Sequence, residues 1–415
     1  PGGNFRSEGG ENTRSYKIEE SNFMGYGKRI NVRKKFGVNR EEHLYEYQDP
    51  NLFGSRHTLK IALSDNSDGQ RTAVDFIQPF YAIQAKKSYG ISWLKDNRVD
   101  FDIDPNDDKY RFRHRDDFWE SFVGISRRLG KDRILRYTYG YTYDQHRYNF
   151  IPLTTTHLPA PVPPLPEQEV PADVRDSYPW VGIAYVEDRF IKTKRINFLN
   201  KTEDINLGHD MNLRIGWTDE NLGALQNGVV LAGSYKYNAI IHKGALLSHV
   251  FEVDGRIVEG RWVNGLLSSE TRYYFKKDAY HTDYLSINLD YGRELSRDKQ
   301  LVLGGDRGLR GYPLNLQRGN NRFLLTYEKR YYTDLHIFRL LYVAGVAFFD
   351  IGRVWDTGGT YSENQGVLKD IGIGARLSLS RSGTGVVLRI DLSVPLDGND
   401  DIEKYQLNFK ASNEF

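Results

Sequence analysis

The 415-residue chain contains no cysteine, two methionines and 14 prolines, and it has no apolar run of helix-spanning length. Without thiols there can be no disulfide framework, thiolate metal site or thiol nucleophile. The lack of cysteine also suits an envelope protein that passes unfolded through an oxidising compartment. A membrane-crossing helix needs about 18 or more apolar residues, so a helical membrane protein is excluded. Lys+Arg 57 against Asp+Glu 55 leaves a net charge of +2. That balance argues against binding through bulk charge, so no nucleic-acid partner is expected. The patterns H-E-x-x-H, G-x-S-x-G and the phosphate loop are all missing, so no catalytic residue is expected. The ten histidines look scattered, none at metal spacing with another ligand, and no metal or cofactor is expected. Ser248-His249 cannot act as a nucleophile and base, because adjacent strand residues point to opposite faces. The chain opens PGGNFRSEGG, with no leader pattern, and is expected to be a mature or trimmed product.

What is abundant is aromatic: 28 Tyr and 21 Phe contribute to a 13% aromatic content. Mean hydropathy is −0.61, which a membrane barrel tolerates because lumen-facing and lipid-facing residues alternate. Alternation recurs from about residue 27 onward. Ile371, Ile373, Ala375, Leu377 and Leu379 share one face, with Gly372, Gly374, Arg376, Ser378 and Ser380 on the other. Next, Leu388, Ile390, Leu392 and Val394 alternate with Val387, Arg389, Asp391 and Ser393. Candidate strands lie near 28–38, 42–49, 56–65, 70–78, 87–103, 112–128, 133–149, 178–188 and 208–218. Others lie near 228–241, 246–255, 262–275, 282–292, 321–333, 339–352 and 402–412. With the two just described, eighteen segments are counted. Ile151–Pro179 holds eight prolines, so it is expected to be an extended external loop. The acidic group Asp100, Asp102, Asp104, Asp107 and Asp108 resembles a calcium loop only superficially. Pro105 and Arg111 stand where such a loop needs Gly and Glu, and a solvated hairpin is expected instead.

One charge stands out. Leu303–Pro313 reads LGGDRGLRGYP, placing Arg310 between glycines and apolar residues in a turn-like stretch. A guanidinium buried there needs a carboxylate, and Asp350 in the apolar run GVAFFDIG (Gly345–Gly352) is the obvious candidate. Asp350 is in phase with Val346 and Phe348, while Glu328 and Arg330 share a phase with Thr326. Arg310, Glu328, Arg330, Asp350, Arg376, Arg389 and Asp391 could therefore form one charged network on an inner wall. It could equally be a structural lock with no part in transport.

Leu309-Arg310-Gly311-Tyr312 resembles the (V/L)RG(F/Y) loop tip of the BamA/TamA superfamily. GVAFFDIG is similar to that family's G-x-x-F-x-D-x-G strand, whose Asp holds the loop arginine. Asn22-Phe23-Met24-Gly25 and Asp49-Pro50-Asn51-Leu52-Phe53-Gly54 also look like family turns. The C-terminus, with Tyr405, Leu407, Phe409 and a terminal Phe415, resembles the signal that marks barrels for outer-membrane insertion.

The resemblance implies an all-β, transmembrane antiparallel β-barrel of sixteen strands, with a long loop folded into the lumen and two of the eighteen segments merged or looped out. It places the chain in a bacterial outer membrane, among lipid and lipopolysaccharide, as a non-enzymatic factor that inserts or exports polypeptides. An unfolded polypeptide is then the client. Residues 1–25 would lead into a barrel formed by 26–415. Family members usually carry periplasmic POTRA modules, for which that lead is too short, so a separate periplasmic accessory protein is expected to replace them. A passive pore or a membrane anchor for a partner protein is the alternative. The last strand, Ile402–Ala411, is expected to close against the first, near Lys28–Val38, whose cations would make a weak seam.

Overall fold

The computed structural model describes residues 2–8, 11–37, 40–103, 109–151, 162–296, 299–356, 366–380, 386–398 and 402–412. Alternating residues build long strands. The first five are β1 (Gly2–Glu8), β2 (Glu11–Phe23), β3 (Lys28–Phe36), β4 (Glu41–Asp49) and β5 (Thr58–Asn66). There follow β6 (Gly69–Gln78), β7 (Lys87–Ile103), β8 (Lys109–Arg128), β9 (Arg133–Asn149) and β10 (Val174–Glu187). A small hairpin, β11 (Phe190–Lys194) and β12 (Thr202–Asn206), precedes β13 (Gly208–Thr218), β14 (Gly228–His242) and β15 (Ala245–Val258). After β16 (Arg261–Lys276) and β17 (His281–Arg293) comes a second short pair, β18 (Leu301–Leu303) and β19 (Gln317–Gly319). The chain ends with β20 (Asn321–Ile337), β21 (Leu341–Trp355), β22 (Leu368–Leu379), β23 (Val387–Pro395) and β24 (Gln406–Ser412).

Among the described residues, twenty strands form one sheet, and the β11–β12 and β18–β19 pairs stand apart from it. The sheet is an antiparallel meander, each strand pairing with its neighbour in the chain. At its end β24 meets β1, with Phe409 opposite Ser7. All eighteen segments expected from the sequence are strands of this sheet, and none merges or loops out.

Two expectations at the N-terminus are corrected. The stretch expected to lead into the sheet supplies β1 and β2. Lys28–Phe36 therefore pairs with β2 and β4 rather than with the last strand. Both hairpin strands are polar, reading GGNFRSE and ENTRSYKIEESNF, so little hydrophobic pattern announces them. Their backbone ladder holds them all the same, from Gly2–Lys17 to Glu8–Glu11.

The connection expected to be an external loop over Ile151–Pro179 ends earlier than expected. β10 begins at Val174 and carries Pro179 within its pairing to Tyr141. Of the preceding stretch, 152–161 lies outside the described residues. Beyond it, Leu165 is buried and its N–H donates to the Arg111 carbonyl at 2.9 Å.

The burial pattern is inside-out. Ile373 (63% exposed), Ile91, Val123, Ile125 and Leu392 project from the outer face. Arg376, Asp370, His114 and Asp350, all 1% exposed or less, lie on the inner face. Each aliphatic side chain left in water forgoes roughly 1.5–3 kcal/mol, so an apolar outer belt on a charged interior is suited to lipid.

Connections alternate between two rims of a meander. The β9–β10, β17–β20 and β21–β22 connections share one rim, which also holds the longest links. The tight β14–β15 and β16–β17 turns share the other, together with the β10–β13 connection that carries the β11–β12 hairpin.

Candidate functional site

The connection from β17 to β20 turns back against the inner face of the sheet. Its entry is tight: Gly308 has φ +100°, and a Cβ there would stand 2.3 Å from a Leu324 methyl. Leu309 follows with φ +61° although it has a side chain, and it is fully buried beside Leu303, Tyr312 and Val354. A non-glycine residue held in this region costs on the order of 1–3 kcal/mol, which the packing around it must offset. At Gly311 the constraint is space: a Cβ would lie 2.8 Å from Asp370 Cβ and 3.0 Å from the Pro395 nitrogen.

This geometry delivers Arg310 into a cage of carboxylates. Its Nε and Nη2 donate to both oxygens of Asp350 at 2.8 and 3.1 Å. Its Nη1 donates to Glu328 Oε1 at 2.9 Å and lies 3.9 Å from Asp391 Oδ2. The guanidinium also stacks over Phe348, 3.5 Å from the ring centroid. The fork matches a carboxylate on one side, and its remaining donor finds a second one.

The loop backbone is tied as firmly as the side chain. Ser393 Oγ and Asn408 Nδ2 both donate to the Arg310 carbonyl at 2.8 Å. The Gly311 N–H donates to Asp370 Oδ2 at 3.0 Å. The Tyr312 hydroxyl donates to the Lys369 carbonyl at 2.7 Å and bridges to Asp397. The loop thereby crosslinks β20, β21, β22, β23 and β24, the last five strands.

The network continues along the wall. Glu328 Oε2 accepts from Arg330 Nε at 2.8 Å, and Asp391 accepts from Arg376 Nη1 at 2.6 Å. Arg389 Nη2 stands 3.7 Å from Asp391 Oδ2. All seven residues singled out in the sequence are thus contiguous. Sequence reasoning missed Asp370, Ser393 and Asn408, whose shared inward phase with Asp350 or Asp391 was the available signal. A cavity of about 360 Å³ opens beside Arg310, lined also by Glu270, Arg272 and Arg322.

The β11–β12 hairpin reaches the same network from the opposite rim, a feature the sequence did not suggest. Glu203 accepts the N–H groups of Ile196, Asn197 and Phe198 at 2.9–3.3 Å, shaping the hairpin tip. The Ile196 carbonyl accepts from Arg330 Nη1 at 3.0 Å, and the Arg195 carbonyl from the Tyr332 hydroxyl at 3.1 Å. Leu199 packs with Tyr332, Val346, Phe348 and Val387. Phe348 thus lies under both the loop arginine and the hairpin.

A second polar cluster lies on β7, β8 and β9. It corrects the expectation that no histidine stands at metal spacing. His114 and Asp116 share a strand face, and His146 sits directly across the ladder from Asp116. Asp100, expected in a solvated hairpin, faces His114 at 2.5 Å, while Asp104, Asp107 and Asp108 lie outside the described residues. At the C-terminus Tyr405 and Leu407 are exposed, Phe409 is half-buried, and Phe415 lies outside the described residues.

The chain is thus a continuous antiparallel meander with an apolar outer face and an arginine loop bound on its charged inner face. Residues 279–415, which contain the loop and its cage, match the Omp85 superfamily domain. Among solved structures, the chain resembles BamA from Haemophilus ducreyi lacking POTRA domains 1–3 at 11% identity and a TM-score of 0.51. That alignment covers 99% of this chain and 70% of that one, and shows a common fold. CdiB from Acinetobacter baumannii (12% identity, TM-score 0.45) and from Escherichia coli (13%, 0.44) also align over 99% of this chain. The chain spans 59% and 62% of those CdiB chains. No curated protein matches it.

Proposed function

We propose that this chain forms a closed transmembrane β-barrel of the bacterial outer membrane that inserts or exports polypeptides. The observation that carries the reading is the Arg310 loop bound to Asp350 and Glu328 within the Omp85 domain, on the inner face of a sheet with an apolar outer face. The contact of β24 with β1 supports closure, with lipid and lipopolysaccharide against the outer belt. An unfolded polypeptide is the client, and a periplasmic accessory protein is the candidate partner. The terminal alternation through Tyr405, Leu407 and Phe409 is the segment we assign to recognition for membrane insertion.

A seam that opens would give a client strand an edge to pair with. Among the described residues β1 and β24 meet with Ser7 opposite Phe409, and this is the seam we assign to opening. A passive pore is less favoured, because the loop and the β11–β12 hairpin both occupy the inner face beside Phe348. The test is a strain dependent on this chain for outer-membrane assembly or secretion, complemented with Arg310→Ala. Loss of surface-exposed client with the barrel still present supports the reading. Full complementation by a folded variant with a released loop contradicts it.

A further inference from the structure

We propose that His114, Asp116 and His146 bind a divalent transition-metal ion of the zinc type on the inner face of the sheet. Three donor atoms converge there. His114 Nε2 lies 2.6 Å from Asp116 Oδ1, His146 Nδ1 lies 2.7 Å from the same oxygen, and the two ring nitrogens are 3.1 Å apart. Donors around a tetrahedral zinc ion at ~2.0–2.1 Å lie about 3.3 Å from one another. The triangle has to widen by less than about 1 Å to admit the ion.

The outer nitrogens are arranged as a metal site requires. His114 Nδ1 faces Asp100 Oδ2 at 2.5 Å, and His146 Nε2 faces Asp144 Oδ1 at 3.3 Å. Each imidazole can then donate its one proton outward to a carboxylate and aim its lone pair at the ion, the usual carboxylate–histidine–metal arrangement. Without an ion, Asp116 Oδ1 accepts from both rings only if their N–H groups also point toward each other.

Charge favours a cation. Arg98 is held by Asp96, Asp100 and Asp116, and its Nη2, 2.7 Å from His114 Nδ1, has to turn aside when that nitrogen carries the proton and the lone pair of Nε2 faces the ion. With Asp144, four carboxylates stand against one guanidinium, so with both imidazoles neutral three negative charges remain, of which a divalent ion balances two. Two imidazoles and one carboxylate select zinc, nickel or copper over calcium or magnesium. His146 and Asp144 border a cavity of about 420 Å³, which leaves room for a water or cargo ligand in the fourth position.

Strand architecture explains the site. Residues two apart share a strand face, and directly opposed residues on antiparallel neighbours come close enough for their side chains to share one ion. β8 supplies the pair at 114 and 116, and β9 supplies its opposite number at 146.

The test is isothermal titration of the purified full chain in detergent with Zn²⁺, alongside His114→Ala, His146→Ala and Asp100→Asn. Heat-modifiable gel mobility verifies that each variant is folded. The inference predicts one ion per wild-type chain, no binding by either histidine variant, and roughly 10–100-fold weaker binding by Asp100→Asn. If a histidine variant does not fold, the visible spectrum of Co²⁺ in the wild type reports imidazole coordination directly. Absence of Zn²⁺ binding by the wild type, or equal binding by a folded histidine variant, overturns the inference and leaves an ion-pair cluster only.

Discussion

Arg310 and Asp350 face each other through two parallel hydrogen bonds of 2.8 and 3.1 Å, although forty residues separate them. The arginine is brought there by a turn that only Gly308 and a strained Leu309 can make, and it is kept there by the Glu328 carboxylate behind it. Removing the arginine leaves the Asp350 carboxylate buried without its guanidinium. Arg310→Ala is therefore expected to cost on the order of 3–5 kcal/mol of stability. Denaturant unfolding and protease resistance of 301–319 check this, and an unchanged unfolding midpoint with an intact loop would sink the lock.

Gly308 tests the loop's path without touching a charge. An alanine there combines φ +100° with a Cβ 2.3 Å from Leu324. Gly308→Ala should displace the loop and resemble Arg310→Ala in protease sensitivity. A variant as resistant as wild type would mean that this tight entry does not position the arginine.

The hairpin should act as an inner obstruction. Glu203 alone gathers three backbone N–H groups at its tip. Losing these should cost about 1–3 kcal/mol locally and loosen the contact with Arg330. In planar bilayers, Glu203→Ala should show larger or more frequent openings than wild type. Identical conductance would remove the hairpin from any role in occluding the barrel.

Topology is testable from the long rim. Gln168 is exposed on the β9–β10 connection, and the chain has no native cysteine to interfere. Gln168→Cys should react with an impermeant maleimide on intact cells. Labelling only after lysis would reverse the orientation and place the β11–β12 hairpin at the cell surface.

The strands were legible wherever an apolar outer face alternates with an inner polar one, as at Ile371–Leu379. They were not legible in β1 and β2, where polar residues occupy most positions and the backbone ladder does the holding. Arg310 and Asp350 could be paired from sequence because the arginine sits in a turn-like stretch next to Gly311 and the aspartate is a lone charge in an apolar run. The His114, Asp116 and His146 cluster could not, since it exists only once β8 and β9 are set in register. The β11–β12 hairpin is only five residues on each side, too short for its alternation to stand out.

In the function proposed above, β1 parts from β24 to admit the client strand. Because the chain is free of cysteine, Ser7→Cys with Phe409→Cys introduces a single possible disulfide across that seam, where the two residues are in register. The oxidised protein should crosslink, remain folded and lose outer-membrane assembly or secretion, with full recovery on reduction. A quantitatively crosslinked barrel that still assembles or exports its client would contradict the account.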